Sequence, residues 1–236
     1  MIQINDLSKK YGKLEVLKSI DLSIDSGKIT AIVGPNGAGK TTILKCILDL
    51  IKANAGIVRI DGKRIEDDFQ YRRHIGYMAQ IARFPENLTV EKILYMIKDL
   101  RTGRYDELDE ELIQKFDLKS EFDKKIKNLS GGNTQKVNAS IAFLFAPQYL
   151  ILDEPTASLD PIASSVLKDK IKKEKNSGRT IILSSHIMAE VEELADEVIF
   201  LLEGNIYYQG STSGLIEVTG ERNLERSIAK MMEGVE

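Results

Sequence analysis

Short apolar runs and amphipathic stretches alternate along much of this chain. Residues 28–33 and 149–152 are compact apolar runs with the length of buried strands, and residues 42–48 read as a helix. Strands that alternate with helices are typical of a mostly parallel sheet with helices packed on its faces. The pattern therefore predicts an α/β core.

The N-terminal quarter has a different pattern. Ile2 to Asp6, Ser19 to Ile24 and Ile57 to Ile60 are short strand-like segments separated by turns such as Asp61-Gly62. Strands joined by tight turns favour antiparallel pairing. We expect a small antiparallel sheet here, beside the parallel one.

Between about residues 85 and 147 the chain becomes helical and more charged. Thr89 is a suitable N-cap for a helix that carries Ile93, Leu94 and Ile97, and Leu112 to Phe116 begins another. The segment ends in an amphipathic helix after Ser130, whose predicted buried face consists of Val137, Ile141, Leu144 and Phe145. We interpret 85–147 as a helical subdomain inserted into one domain of residues 1–236.

Strands and helices alternate again after the insert. Asp160 caps a helix that starts at Pro161, a strand contains Ile181, and a helix passes through Val191 and Leu194. Two paired strands follow, Val198–Leu202 and Asn205–Gln209, which turn at Glu203-Gly204. The tail, 211–236, has one predicted short helix, Glu225 to Met232, and is too short for a separate regulatory domain.

The segment Gly34 to Thr41 matches the phosphate-binding pattern G-x-x-x-x-G-K-[ST] at every fixed position. It lies between a predicted strand and a predicted helix, so the loop N–H groups and the positive helix end converge on phosphate oxygens. Lys40 would reach the β- and γ-phosphates, and the Thr41 hydroxyl would bind Mg²⁺. The motif predicts binding of a nucleoside triphosphate.

Two further segments carry candidate chemistry. Residues 129–133 place a capping Ser and two glycines at the start of a helix, which makes a second positive helix end suited to phosphate. Because one loop already holds the triphosphate, a second anion site indicates a nucleotide held between two copies of the chain. Asp153 and Glu154 end an apolar strand, where Asp153 suits a metal and Glu154 suits polarising a water.

With these motifs in this order, the chain resembles the ATP-binding cassette of ABC transporters over essentially its whole length. The resemblance implies a P-loop NTPase core, RecA-like, with an antiparallel β subdomain and a helical subdomain. It implies ATP and Mg²⁺ as cofactors. It also implies site residues. The phosphate loop would be Gly34, Pro35, Asn36, Gly37, Ala38, Gly39, Lys40, Thr41 and Thr42.

The resemblance assigns further roles residue by residue. Tyr11 would stack on adenine with Val16 beside it, and Thr41, Gln80 and Asp153 would hold the metal. Glu154 would be the catalytic carboxylate and His186 the switch histidine. The ATP of the opposite subunit would be contacted by Ser130, Gly131, Gly132, Asn133 and Asp160. Asn133 departs from the family's usual glutamine, which leaves the finer geometry of that contact open.

Composition excludes some classes of function. The formal net charge of −3 gives no indication of a nucleic-acid-binding surface, and no apolar run reaches the ~18 residues needed to cross a bilayer. The N-terminus lacks a signal-peptide pattern, and the single cysteine, Cys46, fits a reducing compartment and a buried core position. We expect a cytoplasmic protein that reaches the inner face of the membrane through another polypeptide.

Several charged or titratable residues have plainer interpretations. Lys168 to Lys175 is predicted to be the solvated face of a helix, and Asp106-Glu107 and Asp109 to Glu111 are predicted to be solvated surface. His74 is expected to be structural. His186 differs, because it follows a strand at the edge where the γ-phosphate would lie.

Three functions remain open at this stage. The first is an ATPase that dimerises head to tail and drives a separate membrane permease, in the export direction. The second is a soluble ATPase on the same cassette, acting in translation, repair or iron–sulfur assembly. The third, a non-hydrolysing clamp, is disfavoured by the presence of Glu154 and His186. We favour the transporter subunit because the insert lacks the sustained heptads of a repair ATPase, and translation factors carry two cassettes.

Overall fold

The computed structural model describes residues 1–66, 69–101 and 108–234. Its strands are β1 (Ile2–Tyr11), β2 (Leu14–Ile24), β3 (Ile29–Val33), β4 (Ala55–Ile60), β5 (Lys63–Arg64), β6 (Ile75–Met78), β7 (Tyr149–Asp153), β8 (Thr180–Ser185), β9 (Glu197–Leu202) and β10 (Asn205–Ser211). Its α-helices are α1 (Lys40–Ile47), α2 (Val90–Leu100), α3 (Glu111–Lys115), α4 (Gly131–Phe143), α5 (Pro161–Asn176), α6 (Met188–Leu194), α7 (Thr212–Thr219) and α8 (Leu224–Glu233). Short 3₁₀ helices span Phe69–His74, Leu118–Glu121 and Ile126–Asn128.

The central sheet has six strands in the order β10-β9-β3-β8-β7-β6. Neighbours pair in parallel except at the edge, where β10 is antiparallel to β9. Every residue of β3, β7 and β8 is buried, as expected for strands covered on both faces. The predicted α/β core is confirmed, and β3, β7 and β8 end side by side at one edge.

The antiparallel sheet has the order β2-β1-β4-β5 and is also confirmed. β1 and β2 are longer than predicted, since β1 continues to Tyr11 and β2 begins at Leu14. Asp6 and Ser19 have positive φ, and the β1–β2 register shifts repeatedly along the pair. These irregularities interrupt the period-2 alternation by which strands are recognised in a sequence.

Residues from α2, α3 and α4 share a hydrophobic cluster of their own, built around Val90, Ile93, Ile113 and Val137. Thr89 caps α2 as predicted, its hydroxyl accepting from the Lys92 N–H at 3.3 Å. Helix α4 ends at Phe143, so Leu144 and Phe145 follow the helix but still pack in this cluster, and Ile141 is only partly buried. The boundaries of a separate helical subdomain stay a prediction.

One stretch of charges is less solvated than its sequence suggested. Lys170 in α5 is only 2% exposed, and its ammonium pairs with Asp109, Glu111 and Glu174. The prediction of a solvated face over Lys168 to Lys175 is therefore wrong at this position. Asp109 and Glu111, predicted to be solvated surface, are partly covered by this contact and keep side-chain exposures of 20% and 23%. Asp106 and Glu107 lie outside the described residues.

The C-terminal tail packs on the core. The predicted helix is confirmed as α8, whose Leu224 and Ile228 lie in the same hydrophobic cluster as Val191 of α6. Helix α7 was not predicted; Ser211 caps it by accepting from the Gly214 N–H. Cys46 is buried as expected, and burial raises the pKa of its thiol to about 11. Within the described ranges, no helix combines the length and apolar character that a membrane crossing requires.

Candidate functional site

The loop between β3 and α1 needs glycine at two positions. Gly34 has φ 150°, and a Cβ there would lie 2.0 Å from the backbone oxygen of Leu201. Gly39 has φ 113°, and its Cβ would lie 2.8 Å from a side-chain carbon of Leu17. A backbone hydrogen bond also holds the loop in place, since the Gly204 N–H donates to the Ala38 oxygen at 3.2 Å. These contacts hold the loop in the curled shape that directs N–H groups at an anion.

Lys40, the first residue of α1, folds back onto this loop. Its Nζ donates to the carbonyl oxygens of Gly34 at 2.7 Å and Pro35 at 3.1 Å. The side chain is 6% exposed, and burial lowers its pKa, although the charges of Glu154 and Asp153 oppose that effect. Within the described chain Lys40 forms no ion pair, so its buried charge is available to an anionic ligand.

Asp153 lies at the end of β7, opposite the start of α1. Its Oδ1 accepts from the Thr41 hydroxyl at 3.1 Å and from the Ser184 hydroxyl at 2.5 Å. Its Oδ2 is buried and has no hydrogen-bond partner among the described residues. A buried carboxylate oxygen without a partner beside a hydroxyl is a suitable pair of ligands for a hard cation.

The donor set fits Mg²⁺ held together with a nucleotide. The described residues contain no group of three or more His, Cys, Asp and Glu side chains that could hold a metal ion by themselves. Mg²⁺ commonly binds through one or two protein ligands and takes its other ligands from phosphates and water. Thr41 and Asp153 supply such a partial set.

Glu154 follows β7 directly and has φ 48°, an uncommon conformation for a residue with a side chain. Its backbone N–H donates to the Ser184 hydroxyl oxygen at 3.0 Å. Its Oε2 accepts from Gln80 Nε2 at 3.0 Å, and its Oε1 lies 3.3 Å from His186 Nδ1. The strained backbone thus turns the carboxylate towards the two other predicted polar residues.

Of these groups, Lys40, Thr41, Gln80 and Glu154 border one cavity of about 460 Å³, whereas Asp153 and His186 are not among its lining residues. It is lined by Tyr11, Leu14, Val16, Asn36, Gly37, Gly39, Lys40, Thr41, Thr42, Gln80 and Glu154. Tyr11 is 49% exposed, so one face of its ring is available for stacking. Leu14 was not predicted, although its place between Tyr11 and Val16 in the sequence is a signal that could have indicated it.

The second predicted anion site lies apart from this cavity. Ser130 caps α4 by accepting from the Asn133 N–H at 3.1 Å, and Gly131 and Gly132 follow it without side chains. Asp160 caps α5 by accepting from the Ala163 N–H, which, together with Lys136, lowers the pKa of its carboxyl. None of residues 130–133 or Asp160 lines the cavity, so the two predicted anion sites of one chain do not share it.

The sequence did not predict the residues whose hydrogen bonds hold the elements of the site together. Ser184 joins the strand ends by bonding both Asp153 and the Glu154 N–H. Asn138 of α4 donates to the Ala79 oxygen at 2.8 Å, which ties α4 to the residue before Gln80. The Ser-Ser pair before His186 and the two buried amides in α4 were the available signals.

Comparisons with known proteins agree on one family. The family model described as ABC transporter matches residues 17–157. The lantibiotic transport ATP-binding protein SrtF of Streptococcus pyogenes is 34% identical, covering 95% of this chain and 94% of its own length. The L-cystine import ATP-binding protein TcyC of Bacillus subtilis is 33% identical, covering 98% of this chain and 99% of its own length.

Solved structures give the same result. A structure of the ATP-binding subunit of an ABC transporter has a TM-score of 0.90 at 30% identity, covering 98% of this chain and 99% of that one. A dimeric ATP-binding cassette in a post-hydrolysis state, bound to ADP and Pi, has a TM-score of 0.79 at 25% identity, covering 89% of this chain and 98% of that one. The chain belongs to the ABC transporter family, as one of its ATP-binding, ATP-hydrolysing cassettes.

Proposed function

We propose that two copies of this chain close head to tail around two ATP molecules and drive a separate membrane permease. The separation of the two anion sites within one chain carries this proposal. A phosphate loop that faces residues 130–133 of a second copy gives each triphosphate both sites. The dimeric cassette bound to ADP and Pi supports assembly of this fold as a dimer. Residues 1–236 act as one ATPase unit, with the helical segment of about 85–147 supplying the second site.

Binding of ATP uses the cavity described above. The loop N–H groups and Lys40 bind the β- and γ-phosphate oxygens, and Tyr11 stacks on adenine beside Val16. Thr41, Gln80 and Asp153 hold Mg²⁺, which supplies charge neutralisation at the phosphates when bound. Residues Ser130, Gly131, Gly132, Asn133 and Asp160 of the second copy complete the contact with the γ-phosphate.

Hydrolysis uses the pair Glu154 and His186. The Glu154 carboxylate orients a water and accepts its proton as the water oxygen bonds to the γ-phosphorus. The bond from that phosphorus to the bridging oxygen breaks, and ADP takes the electron pair. The half-exposed His186 ring, whose Nδ1 lies 3.3 Å from Glu154 Oε1, donates its N–H to a γ-phosphate oxygen.

Several exposed apolar side chains support the permease as partner. Phe69, Ile81, Tyr95 and Leu100 are each more than 60% exposed. Arg101 donates to the Ile75 oxygen at 2.9 Å, which fixes the end of α2 near the segment that begins at Phe69. Exposed apolar side chains of this kind, one of which follows Gln80 in the sequence, suit contact with an apolar segment of a membrane protein. The chain would then act in the cytoplasm, at the inner face of the membrane.

The direction of transport stays a prediction of export. Of two similarly close relatives, one is named for lantibiotic transport and the other for L-cystine import. Both names refer to transport, so a soluble ATPase without a permease is not favoured.

The test uses Glu154→Gln, which keeps the shape of the side chain but removes the proton acceptor. We expect it to form an ATP-dependent dimer in size-exclusion chromatography with Mg²⁺ and to lose at least ~10²-fold in kcat. Adding Gly132→Asp places a carboxylate where phosphate must approach, so the double variant should bind ATP but remain monomeric. A Glu154→Gln protein that stays monomeric with ATP, or hydrolyses ATP at the wild-type rate, would contradict the proposal.

A further inference from the structure

A second contact joins the two loops that carry Glu154 and His186, outside the nucleotide cavity. Thr156, two residues after Glu154, donates its hydroxyl proton to Glu190 Oε2 at 2.6 Å. Glu190 lies four residues after His186, in the first turn of α6. Thr156 is only 7% exposed, so water competes little for this hydrogen bond.

The position of this bond along the chain gives it a mechanical role. The β7–β8 ladder ends at the pair Asp153 and Ser184, and a last backbone bond joins the Glu154 N–H to the Ser184 oxygen at 3.1 Å, so backbone pairing does not set the spacing of the segments beyond Glu154. Glu154 and Thr156 belong to one tight turn, in which the Ala157 N–H donates to the Glu154 oxygen at 3.3 Å. A displacement of Thr156 is therefore transmitted to the strained backbone of Glu154.

We propose that Thr156 and Glu190 are positioning residues for ATP hydrolysis, whose hydrogen bond fixes the separation of Glu154 and His186. The proposal rests on the roles assigned above to Glu154 and His186. Neither Thr156 nor Glu190 lines the nucleotide cavity, so their loss leaves the phosphate contacts in place. Loss of the hydrogen bond instead changes the 3.3 Å contact between Glu154, which acts on the attacking water, and His186, which acts on the γ-phosphate.

The neighbouring acid of the same helix provides a matched control. Glu193, also in α6, pairs with Lys168 and Lys172 of α5 and makes no described contact with either loop. Glu193→Gln removes one charge from the helix as Glu190→Gln does, but it leaves the bridge between the loops intact. Any effect of α6 charge alone would appear in both variants.

The kinetic experiment compares Thr156→Val, which is isosteric but has no hydroxyl, with Thr156→Ser, which keeps it. Thr156→Val should lower kcat about tenfold, equivalent to roughly 1.4 kcal/mol, with the Kd for a fluorescent ATP analogue within about twofold of wild type. Thr156→Ser should recover most of the rate. Glu190→Ala should match Thr156→Val, whereas Glu190→Gln, which keeps an acceptor oxygen, should cost less. The double variant Thr156→Val/Glu190→Ala should be no slower than the slower single variant.

A spectroscopic measurement tests the bridge without turnover. The chain has two histidines, His74 and His186, so their imidazole NMR signals are easily assigned. Thr156→Val should shift the His186 signals and leave those of His74 in place. A wild-type kcat in Thr156→Val, additive effects in the double variant, or unchanged His186 signals would overturn the proposal. Failure of the proposed function is distinguishable, because it would appear as wild-type activity in Glu154→Gln.

Discussion

Two buried lysines, Lys40 in the phosphate loop region and Lys170 in α5, have opposite electrostatic surroundings. Lys40 bonds two backbone carbonyl oxygens, and burial lowers its pKa. Burial also disfavours the charge of Lys170, but hydrogen bonds to Asp109, Glu174 and Glu111 outweigh it and raise the pKa. The buried charge of Lys40 is therefore available to a ligand, whereas carboxylates of the protein compensate the buried charge of Lys170.

The difference extends to the partners of each lysine. Around Lys170 the carboxylates have further cations, since Lys173 pairs with Glu111 and Arg179 with Glu174. Around Lys40 the nearest acids include Asp153, whose buried Oδ2 has no described partner. A network that closes on itself stabilises the fold, whereas unpaired charges of both signs beside the start of α1 cost stability and favour a charged ligand with its cation.

The largest expected effect comes from breaking the closed network. Lys170→Met should lower the free energy of unfolding by about 3 kcal/mol, because it leaves carboxylates covered without their central cation. Chemical denaturation measures the loss. The Kd for ATP should stay within about twofold of wild type once the variant is folded, and a Lys170→Met protein as stable as wild type would show that the network is dispensable.

The matching substitution at the nucleotide site should give the reverse result. Lys40→Met should weaken ATP binding about 10- to 100-fold, since it removes a charge-assisted contact with phosphate. The free energy of unfolding without nucleotide should change by less than about 0.5 kcal/mol, because the loss of two hydrogen bonds and the removal of a buried unpaired charge act in opposite directions. Fluorescent-nucleotide titration and denaturation of the same preparation separate the effects. Equal losses in both measurements would remove the contrast between the two lysines.

Asp153→Asn tests the unpaired carboxylate directly. An asparagine keeps an oxygen for the Thr41 and Ser184 hydroxyls but carries no buried charge, so unfolding without nucleotide should require about 1 kcal/mol more than in wild type. The Mg²⁺ dependence of ATP binding should disappear at the same time. Titrations with and without EDTA provide the measurement. A fall in stability would mean that Asp153 is already compensated in the empty site.

The smallest expected effect is the loss of folding stability at low pH that results from protonating a carboxylate of the Lys170 network. Hydrogen bonds lower the pKa of Glu111 from 4.5 to about 2, and the bond from Lys173 has the largest effect. A lowered folded-state pKa contributes stability that is present above the unfolded value, about 4.5, and is lost as the pH falls towards 2. Between pH 5 and 3, wild type should lose up to ~1 kcal/mol more than Glu111→Gln, a value kept small because the group is partly exposed. Parallel slopes for the two proteins would contradict this assignment.

Local signals account for what the sequence predicted well. The phosphate loop, the strand ending in Asp153-Glu154 and the caps Thr89, Ser130 and Asp160 each depend on a few adjacent residues. The features that were missed depend on distant partners. The buried Lys170 pairs with Asp109, 61 residues away in sequence, and the Thr156–Glu190 bond spans 34 residues. No local periodicity contains such pairings.

The contacts that support the phosphate loop come from residues that are synthesised long after the loop itself. A growing chain completes the Gly34 to Thr41 motif early, but the backbone of Leu201 and Gly204, against which that loop rests, is made more than 150 residues later. Strand β3 likewise waits for β8 and β9, its two neighbours in the sheet. A nascent chain can therefore carry the whole nucleotide motif on the ribosome without being able to bind a nucleotide. It gains that ability once the β9–β10 hairpin has been synthesised.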